Sequence, residues 1–235
     1  MDAPRTDVRG RAAVSRPAAG GGRWVRVDPE RLAAWLDGFT ARHGAVEWRA
    51  VPERVEVSAA DGALAACEVP LPPLVVDPAA PWGGLVAHAL AERTVGVLLV
   101  RLGGFAAGVF EGSRLSASRT GSRPVHGRAA AGGWSQHRFA RRREGQARTA
   151  LDAAADAAAA VLLPAAASLD AVVAGGDRRA VDGVLADPRL ASLRALLAPR
   201  LLDVPDPRRR VLEDSPRLFR AVSIRVVEPG AEVED

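Results

Sequence analysis

Several residue types are missing or scarce in this 235-residue chain, which has no Lys, Asn or Tyr and a single Ile. All 32 basic residues are therefore Arg. This pattern is typical of a GC-rich coding bias, so the abundance of Arg is not by itself a sign of guanidinium chemistry. Apolar residues still make up 48% of the chain, which is enough to bury a core in one large or two small domains.

Cysteine is also scarce, because Cys67 is the only one. It excludes an intrachain disulfide framework and a cysteine-based metal cluster, and it fits a reducing, cytoplasmic compartment. The four His residues lack the spacing of metal ligands, so we expect no metal and no cofactor. We find neither a signal-peptide core nor an apolar run of the roughly 18 residues that a membrane helix needs, and we expect no membrane partner.

The basic charge is concentrated in one stretch. Residues 111–148 contain nine Arg and two acidic residues, a net charge of +7, whereas the whole chain carries +4, which leaves −3 for the remainder. A compact basic patch on an otherwise mildly acidic protein is the electrostatic pattern expected of a protein that binds phosphate backbones.

A glycine-tipped motif lies in this stretch, where residues 131–143 read AGGWSQHRFARRR. Gly132 and Gly133 allow the backbone to approach another chain closely. Gln136 supplies a neutral amide at the end of the loop. Four arginines follow that are able to pair with phosphates, namely Arg138, Arg141, Arg142 and Arg143.

The run GGWSQxRFARRRExQ at residues 132–146 resembles the signature loop of VLRF-type peptidyl-tRNA hydrolases, in their actinobacterial form. These are release-factor-like ribosome-rescue proteins, similar to the middle domain of eukaryotic and archaeal class I release factors, which carry a Gly-Gly-Gln loop. The resemblance extends over residues 94–228. It implies a hydrolase whose partners are the large ribosomal subunit, rRNA and peptidyl-tRNA.

The chemistry that this resemblance implies needs few groups. Peptidyl-tRNA is a labile ester, so a catalyst has only to place water on the carbonyl and favour the developing oxyanion. A Gln amide accepts and donates hydrogen bonds without titrating, and Gln136 answers to the family's functional Gln. Trp134 and Ser135 separate the glycines from this Gln and change where the amide sits. A nuclease acting at the tRNA 3′ end therefore stays an alternative.

The two inserted residues also have simpler interpretations. Ser135 suits the N-cap of a helix that begins near Gln136. Trp134 suits either stacking on a base or anchoring the loop, and the sequence does not choose between them.

The rest of the chain predicts an α/β fold with a mixed sheet flanked by helices over residues 94–228. The resemblance implies that this sheet is of the release-factor middle-domain or ribonuclease H-like kind. A near-continuous apolar run at 94–102 predicts a strand covered on both faces, and two further strands are predicted at 105–110 and 114–119. An Ala-rich helix follows over 138–163, with Ala147, Ala154, Ala158 and Leu162 among the residues predicted on its inner face. A strand is predicted at 168–174, a helix start at Asp187-Pro188, and the last strand at 220–227.

A small α+β module is predicted before this domain, at residues 23–93. Its helix is predicted to begin at Asp28-Pro29 and to end at Gly44, with Leu32, Leu36 and Phe39 on one apolar face, and Asp61-Gly62 predicts a hairpin turn. Its four Trp residues are expected in the core rather than as base-stacking platforms, and they are Trp24, Trp35, Trp48 and Trp82. Residues 1–22 are rich in Arg, Ala, Gly and Pro and predict a disordered tail. Residues 229–235 form an acidic tail.

Three other functions compete with ester hydrolysis. A serine hydrolase needs its Ser on an elbow directly after a buried strand, which the residues before Ser135 do not provide. A ribonuclease H-type nuclease needs clustered carboxylates for two metals, and the first strand pair offers only Glu111. A non-catalytic ribosome- or RNA-binding module would use the arginines alone and leave Gln136 without a role.

Overall fold

A computed structural model of the chain describes residues 15–18, 21–101, 103–122 and 135–230, with the account of residues 15 and 135–144 limited to the backbone. The chain divides into two compact units. The N-terminal unit comprises residues 1–91 and 220–235, and the central unit comprises residues 92–219.

The first part of the N-terminal unit is a set of antiparallel strands with two helices. Its elements are β1 (Ser15–Pro17), β2 (Arg23–Val27), α1 (Pro29–His43), β3 (Val46–Val51), β4 (Arg54–Ala59), β5 (Leu64–Glu68) and α2 (Leu85–Leu90). A short 3-10 turn, Pro81–Gly84, precedes α2. The predicted α+β character of this region is observed.

Helix α1 begins and ends where its sequence indicates. Pro29 occupies the first turn, where its missing N–H costs nothing, and the helix ends at Gly44, whose φ of 83° is readily adopted by glycine. Asp28 stands at the N-cap but makes no side-chain capping bond. Leu32, Leu36 and Phe39 are completely buried against the sheet, so the predicted apolar face packs as expected.

The central unit contains a mixed four-stranded sheet. Its elements are β6 (Thr94–Arg101), β7 (Gly104–Glu111), β8 (Arg114–Ser122), α3 (Ser135–Leu162), β9 (Ala171–Gly176), α4 (Arg178–Leu185), α5 (Ala191–Arg194), α6 (Arg209–Glu213) and α7 (Pro216–Phe219). The strand order is β8-β7-β6-β9, with β9 parallel to β6 and the other pairs antiparallel. The predicted mixed sheet with flanking helices is confirmed.

Both faces of the central strands are covered, as the apolar run predicts. Leu98 and Val100 of β6 belong to a buried cluster with α3 and α4, and Leu99 of the opposite face is also completely buried. Strand β9 begins three residues later than the predicted start at residue 168. The reason is a 3-10 turn, Leu163–Ser168, which continues beyond Leu162.

The segment Gly145–Ser168 is long and apolar enough to cross a membrane by length and composition, with a mean hydropathy of 1.5. The prediction that no such stretch exists was therefore wrong. Alanines raise its hydropathy, and Ala154, Ala157 and Ala158 are buried against the four-stranded sheet. A core helix with a small-residue face meets the same criterion.

The last strand corrects the predicted domain boundary. Strand β10 (Val222–Val227) was assigned to the domain at 94–228, but it pairs antiparallel with both β2 and β5. The N-terminal sheet therefore has six strands in the order β1-β2-β10-β5-β4-β3. An apolar strand pattern indicates that a strand is buried, but it does not show which sheet the strand joins. In the structure, β10 lies between β2 and β5.

Two further predictions for the N-terminal unit are revised. Residues 15–17 form β1, paired with β2, and so do not belong to a disordered tail, whereas residues 1–14 lie outside the described residues. Trp35, Trp48 and Trp82 pack against the core, as predicted. Trp24 instead alternates with the buried Val25 on β2 and lies on the other face of the sheet.

We predict that Ile224→Ala destabilises the N-terminal unit by roughly 2–5 kcal/mol, because Ile224 is completely buried there. Four of the five Trp residues lie in this unit, so tryptophan fluorescence during urea unfolding will report the change. The control is Val75→Ala, since Val75 is 87% exposed and its loss should cost less than about 0.5 kcal/mol. An unchanged fluorescence transition in Ile224→Ala would contradict the placement of β10.

A second prediction concerns Cys67, which lies opposite Ile224 in the sheet. Burial raises the pKa of the Cys67 thiol to about 12, so the reactive thiolate is absent at mildly alkaline pH. Iodoacetamide should therefore label the folded protein negligibly and the urea-denatured chain rapidly, as followed by mass spectrometry. Rapid labelling of the folded protein would show that β5 is not buried as described.

Candidate functional site

In the chain, the signature motif follows β8 of the four-stranded sheet. The last residue of β6, Arg101, pairs with Gly104 at the start of β7, and Gly104 pairs with Ser122 at the end of β8. Gly176 at the end of β9 pairs with Val100. In the chain, the motif therefore follows a strand that finishes at the same end of the sheet as β6 and β9.

Helix α3 is longer than the sheet on which it packs. At about 1.5 Å per residue its 28 residues span about 42 Å, whereas the eight residues of β6 span about 26 Å. Full burial begins at Ala154 and continues to Leu162. A Cβ added at Gly145 would meet nothing within 4 Å. The helix therefore begins 19 residues before its first fully buried residue, Ala154.

One predicted core position of α3 is wrong for this reason. Ala147 was expected on the inner face, but it is exposed, as are Arg148 and Thr149. Ala154, Ala158 and Leu162 are buried as predicted. The helical periodicity was correct, but it does not reveal where the sheet beneath the helix ends.

An ion-pair network fixes the packed part of α3. Arg189 Nη2 lies 2.8 Å from Asp156 Oδ1 on α3 and 2.7 Å from Asp187 Oδ2. The hydrogen bonds from Arg189 hold the pKa of Asp187 below its usual range, and those bonds raise the pKa of Arg189. Asp187 also accepts a hydrogen bond from the backbone N–H of Arg189. The Arg189 guanidinium thus links a 3-10 turn, Pro188–Leu190, to Asp156 on α3.

Close packing also fixes the strand that leads into the motif. A Cβ added at Gly121 on β8 would lie 2.4 Å from Phe105 Cζ, because the two residues face each other across the β7–β8 pair. The Phe105 ring is 91% buried, with 9% of the residue exposed. The ring therefore lies over the glycine, just before the end of β8.

Comparison with known proteins identifies the family. A family model described as "Actinobacteria/chloroflexi VLRF1 release factor" matches residues 93–225, which is more than half of the chain. The chain belongs to the actinobacteria/chloroflexi VLRF1 release factor family. The resemblance predicted over residues 94–228 is thereby confirmed. A search of curated protein sequences finds no match.

Two solved structures are similar to parts of the chain. The crystal structure of an archaeal translation termination factor, aRF1, is 18% identical with a TM-score of 0.38, over 66% of this chain and 46% of that one. A structure described as an archaeal protein is 17% identical with a TM-score of 0.37, over 69% of this chain and 51% of that one. The chain spans about half the length of these structures.

The predicted site residues of this VLRF1 family member lie around the start of α3. Gly132, Gly133 and Trp134 are outside the described residues. Ser135 is the first residue of α3, so the helix includes it. The other predicted residues belong to the first third of the helix, and they are Gln136, Arg138, Arg141, Arg142 and Arg143. The structure therefore places one continuous helix through the arginine run.

The helix sets the angular positions of these residues. Positions 138, 141 and 142 are spaced i, i+3 and i+4, so they fall on one face of α3. Position 143 is rotated by about 100° from position 142. The helix backbone thus places positions 138, 141 and 142 within an arc of about 100°.

Sequence reasoning missed the anchor of α3. The Asp187-Pro188 pair indicated a helix start, and Asp187 does accept from the N–H of Arg189. Arg189 in turn pairs with Asp156, which lies 33 positions earlier in the chain. No local pattern signals that contact. Among the described residues, no three His, Cys, Asp or Glu side chains are grouped as metal ligands, and Glu111 is paired with Arg114.

We predict that Gly121→Val destabilises the central unit by about 1–3 kcal/mol, because the added side chain must displace the Phe105 ring. Ala117→Val is the matched control, since Ala117 lies on the same face of β8 and is exposed. Thermal unfolding followed by circular dichroism will compare the two variants. Equal effects would contradict the close packing of Phe105 on Gly121.

Proposed function

We propose that this protein is a cytoplasmic, release-factor-like peptidyl-tRNA hydrolase that frees nascent chains from tRNA on stalled large ribosomal subunits. The observation that carries the proposal is the family match over residues 93–225, which contains the whole GGWSQ motif. The exposure of Ala147, Arg148 and Thr149, just after the motif on α3, supports it, because residues that act on a ribosome-bound substrate must be accessible.

Gln136 is assigned the central role in the reaction. Its amide would accept a hydrogen bond from the attacking water and donate one to a neighbouring oxygen. The ester carbonyl then becomes tetrahedral and carries an oxyanion, which positioned donors stabilise. The second position of a long helix suits this role, since unpaired N–H groups and the helix dipole favour negative charge there.

The arginines are assigned to the RNA. Arg138, Arg141, Arg142 and Arg143 would pair with phosphates of rRNA or tRNA, which makes binding depend steeply on salt. Gly132 and Gly133 would let the motif enter a crowded RNA cavity, with Trp134 and Ser135 supporting the loop. No acid–base pair or cofactor is required if the peptidyl-transferase centre of the large subunit supplies the remaining groups.

The test uses large subunits that carry labelled peptidyl-tRNA. Gln136→Ala should lower the rate of peptide release about 100-fold or more, the usual effect of removing one positioned polar group. Thr149→Ala is the control, because Thr149 is exposed on the same helix and lies beyond the signature run at 132–146. Single-turnover release, with subunit binding measured in parallel, separates catalysis from association.

The tRNA product distinguishes the competing functions. Free peptide with an intact CCA end establishes ester hydrolysis. Peptide that remains attached to a CCA fragment identifies a nuclease. Binding without cleavage, unchanged in Gln136→Ala, leaves a non-catalytic RNA-binding module.

A further inference from the structure

The six-stranded sheet has two different faces. On the inner face, Val25, Val55 and Ile224 are buried within the same core cluster as residues of α1. Side chains alternate along a strand, so the residues between these positions point to the opposite side, here called the outer face. On β2 and β10 the outer positions include Trp24 and Arg225.

A tryptophan is flanked by arginines across three neighbouring strands of this face. Arg16 on β1 lies directly opposite Trp24 on β2, and Trp24 lies directly opposite Arg225 on β10. Residues paired in this way have Cβ atoms about 5 Å apart. Arg26 lies two residues from Trp24 on the same face, and it is exposed, as is Arg16.

The charge at this end of the face has a single sign. The remaining outer positions of β10, Ser223 and Val227, are buried, and no acidic residue occupies an outer position of β1, β2 or β10. Glu68 on the next strand, β5, lies opposite Ser223. The other end of the face is mixed. There Glu56 lies opposite Arg49 and forms an ion pair with Arg54 at 2.9 Å.

Trp24 differs from the other tryptophans of its unit. Trp35, Trp48 and Trp82 pack against the core cluster, whereas Trp24 is half-buried on the outer face. Arg225 is held beside it by a hydrogen bond from Nε to the Gly21 carbonyl at 3.1 Å. A half-buried indole beside the exposed Arg16 and Arg26 has the chemistry that single-stranded nucleic acid recognises.

We propose that the outer face of β1, β2 and β10 binds single-stranded RNA. A base would stack on the Trp24 indole, which tolerates any sequence because every base has a π-face. Arg16 and Arg26 would contact the phosphates on either side of that base. This inference gives the N-terminal unit its own RNA contact, separate from the chemistry of Gln136, and it shares with the proposed function only the class of partner.

The experiment measures binding of a short fluorescent oligouridylate to the full-length protein by anisotropy over a series of salt concentrations. All variants are also made with Arg141, Arg142 and Arg143 replaced by Ser, so that binding by the motif does not mask the outer face. Trp24→Leu keeps the apolar bulk and removes the aromatic ring, and it should weaken binding about fivefold or more. Trp24→Phe should retain most of the affinity.

The arginines are tested by salt dependence. Arg16→Ser should reduce the slope of log K against log salt by about 0.7, the value for one lost phosphate contact on a single strand. Arg49→Ser is the control, because it removes the same charge from the same face at the other edge of the sheet. It should leave the slope unchanged.

Each result either supports or overturns the proposal. Loss of binding in Trp24→Leu and Arg16→Ser, with retention in Trp24→Phe and Arg49→Ser, supports it. Equal binding by all variants overturns it. If Trp24→Leu unfolds, the exposed pair Arg16→Ser and Arg26→Ser decides, and unchanged RNA binding overturns the proposal. Unchanged RNA binding with lost association to large subunits indicates a protein contact and also overturns it. Peptide release by Gln136 is scored separately.

Discussion

The packing of the alanine-rich half of α3 on the four-stranded sheet is the interaction on which the central unit depends. Ala154, Ala157 and Ala158 are buried there, and their small side chains allow the helix backbone to approach the sheet closely. Larger residues from other elements then fill the space around the helix, and Leu151 approaches Gly183 of α4 so closely that a Cβ there would lie 3.0 Å away. The ion pairs of Arg189 with Asp156 and Asp187 add polar contacts of defined geometry to this packing.

This arrangement explains why the functional motif lies where it does. Burial ends near Ala154, while the helix begins at Ser135. The segment between these points is helical, and its residues Ala147, Arg148 and Thr149 are exposed. The residues assigned to the proposed chemistry therefore lie at one end of a helix whose other end is buried in the core. They are distinct from the residues that stabilise the fold.

The N-terminal unit shows a different principle, since its sheet is completed from the far end of the chain. Strand β10 pairs with β2 and β5, so residues 92–219 form an insertion in its sequence. Its inner face holds the core, whereas Arg16 and Arg26 on the outer face of β1 and β2 are exposed. The single-sign charge around Trp24 gives that face a distinct character within the same sheet.

The sequence alone determined the local elements and the family. The limits of α1, the hairpin turn at Asp61-Gly62, the buried strand at 94–101 and the long Ala-rich helix all follow from periodicity and from glycine and proline, which act over a few residues. The GGWSQ motif and its local charge identified the release-factor family. Only the tertiary structure decided which sheet receives β10, because a buried strand has the same pattern in any sheet. It also decided at which residue the buried part of α3 begins and which face of the sheet Trp24 occupies, since both depend on elements far away in the chain.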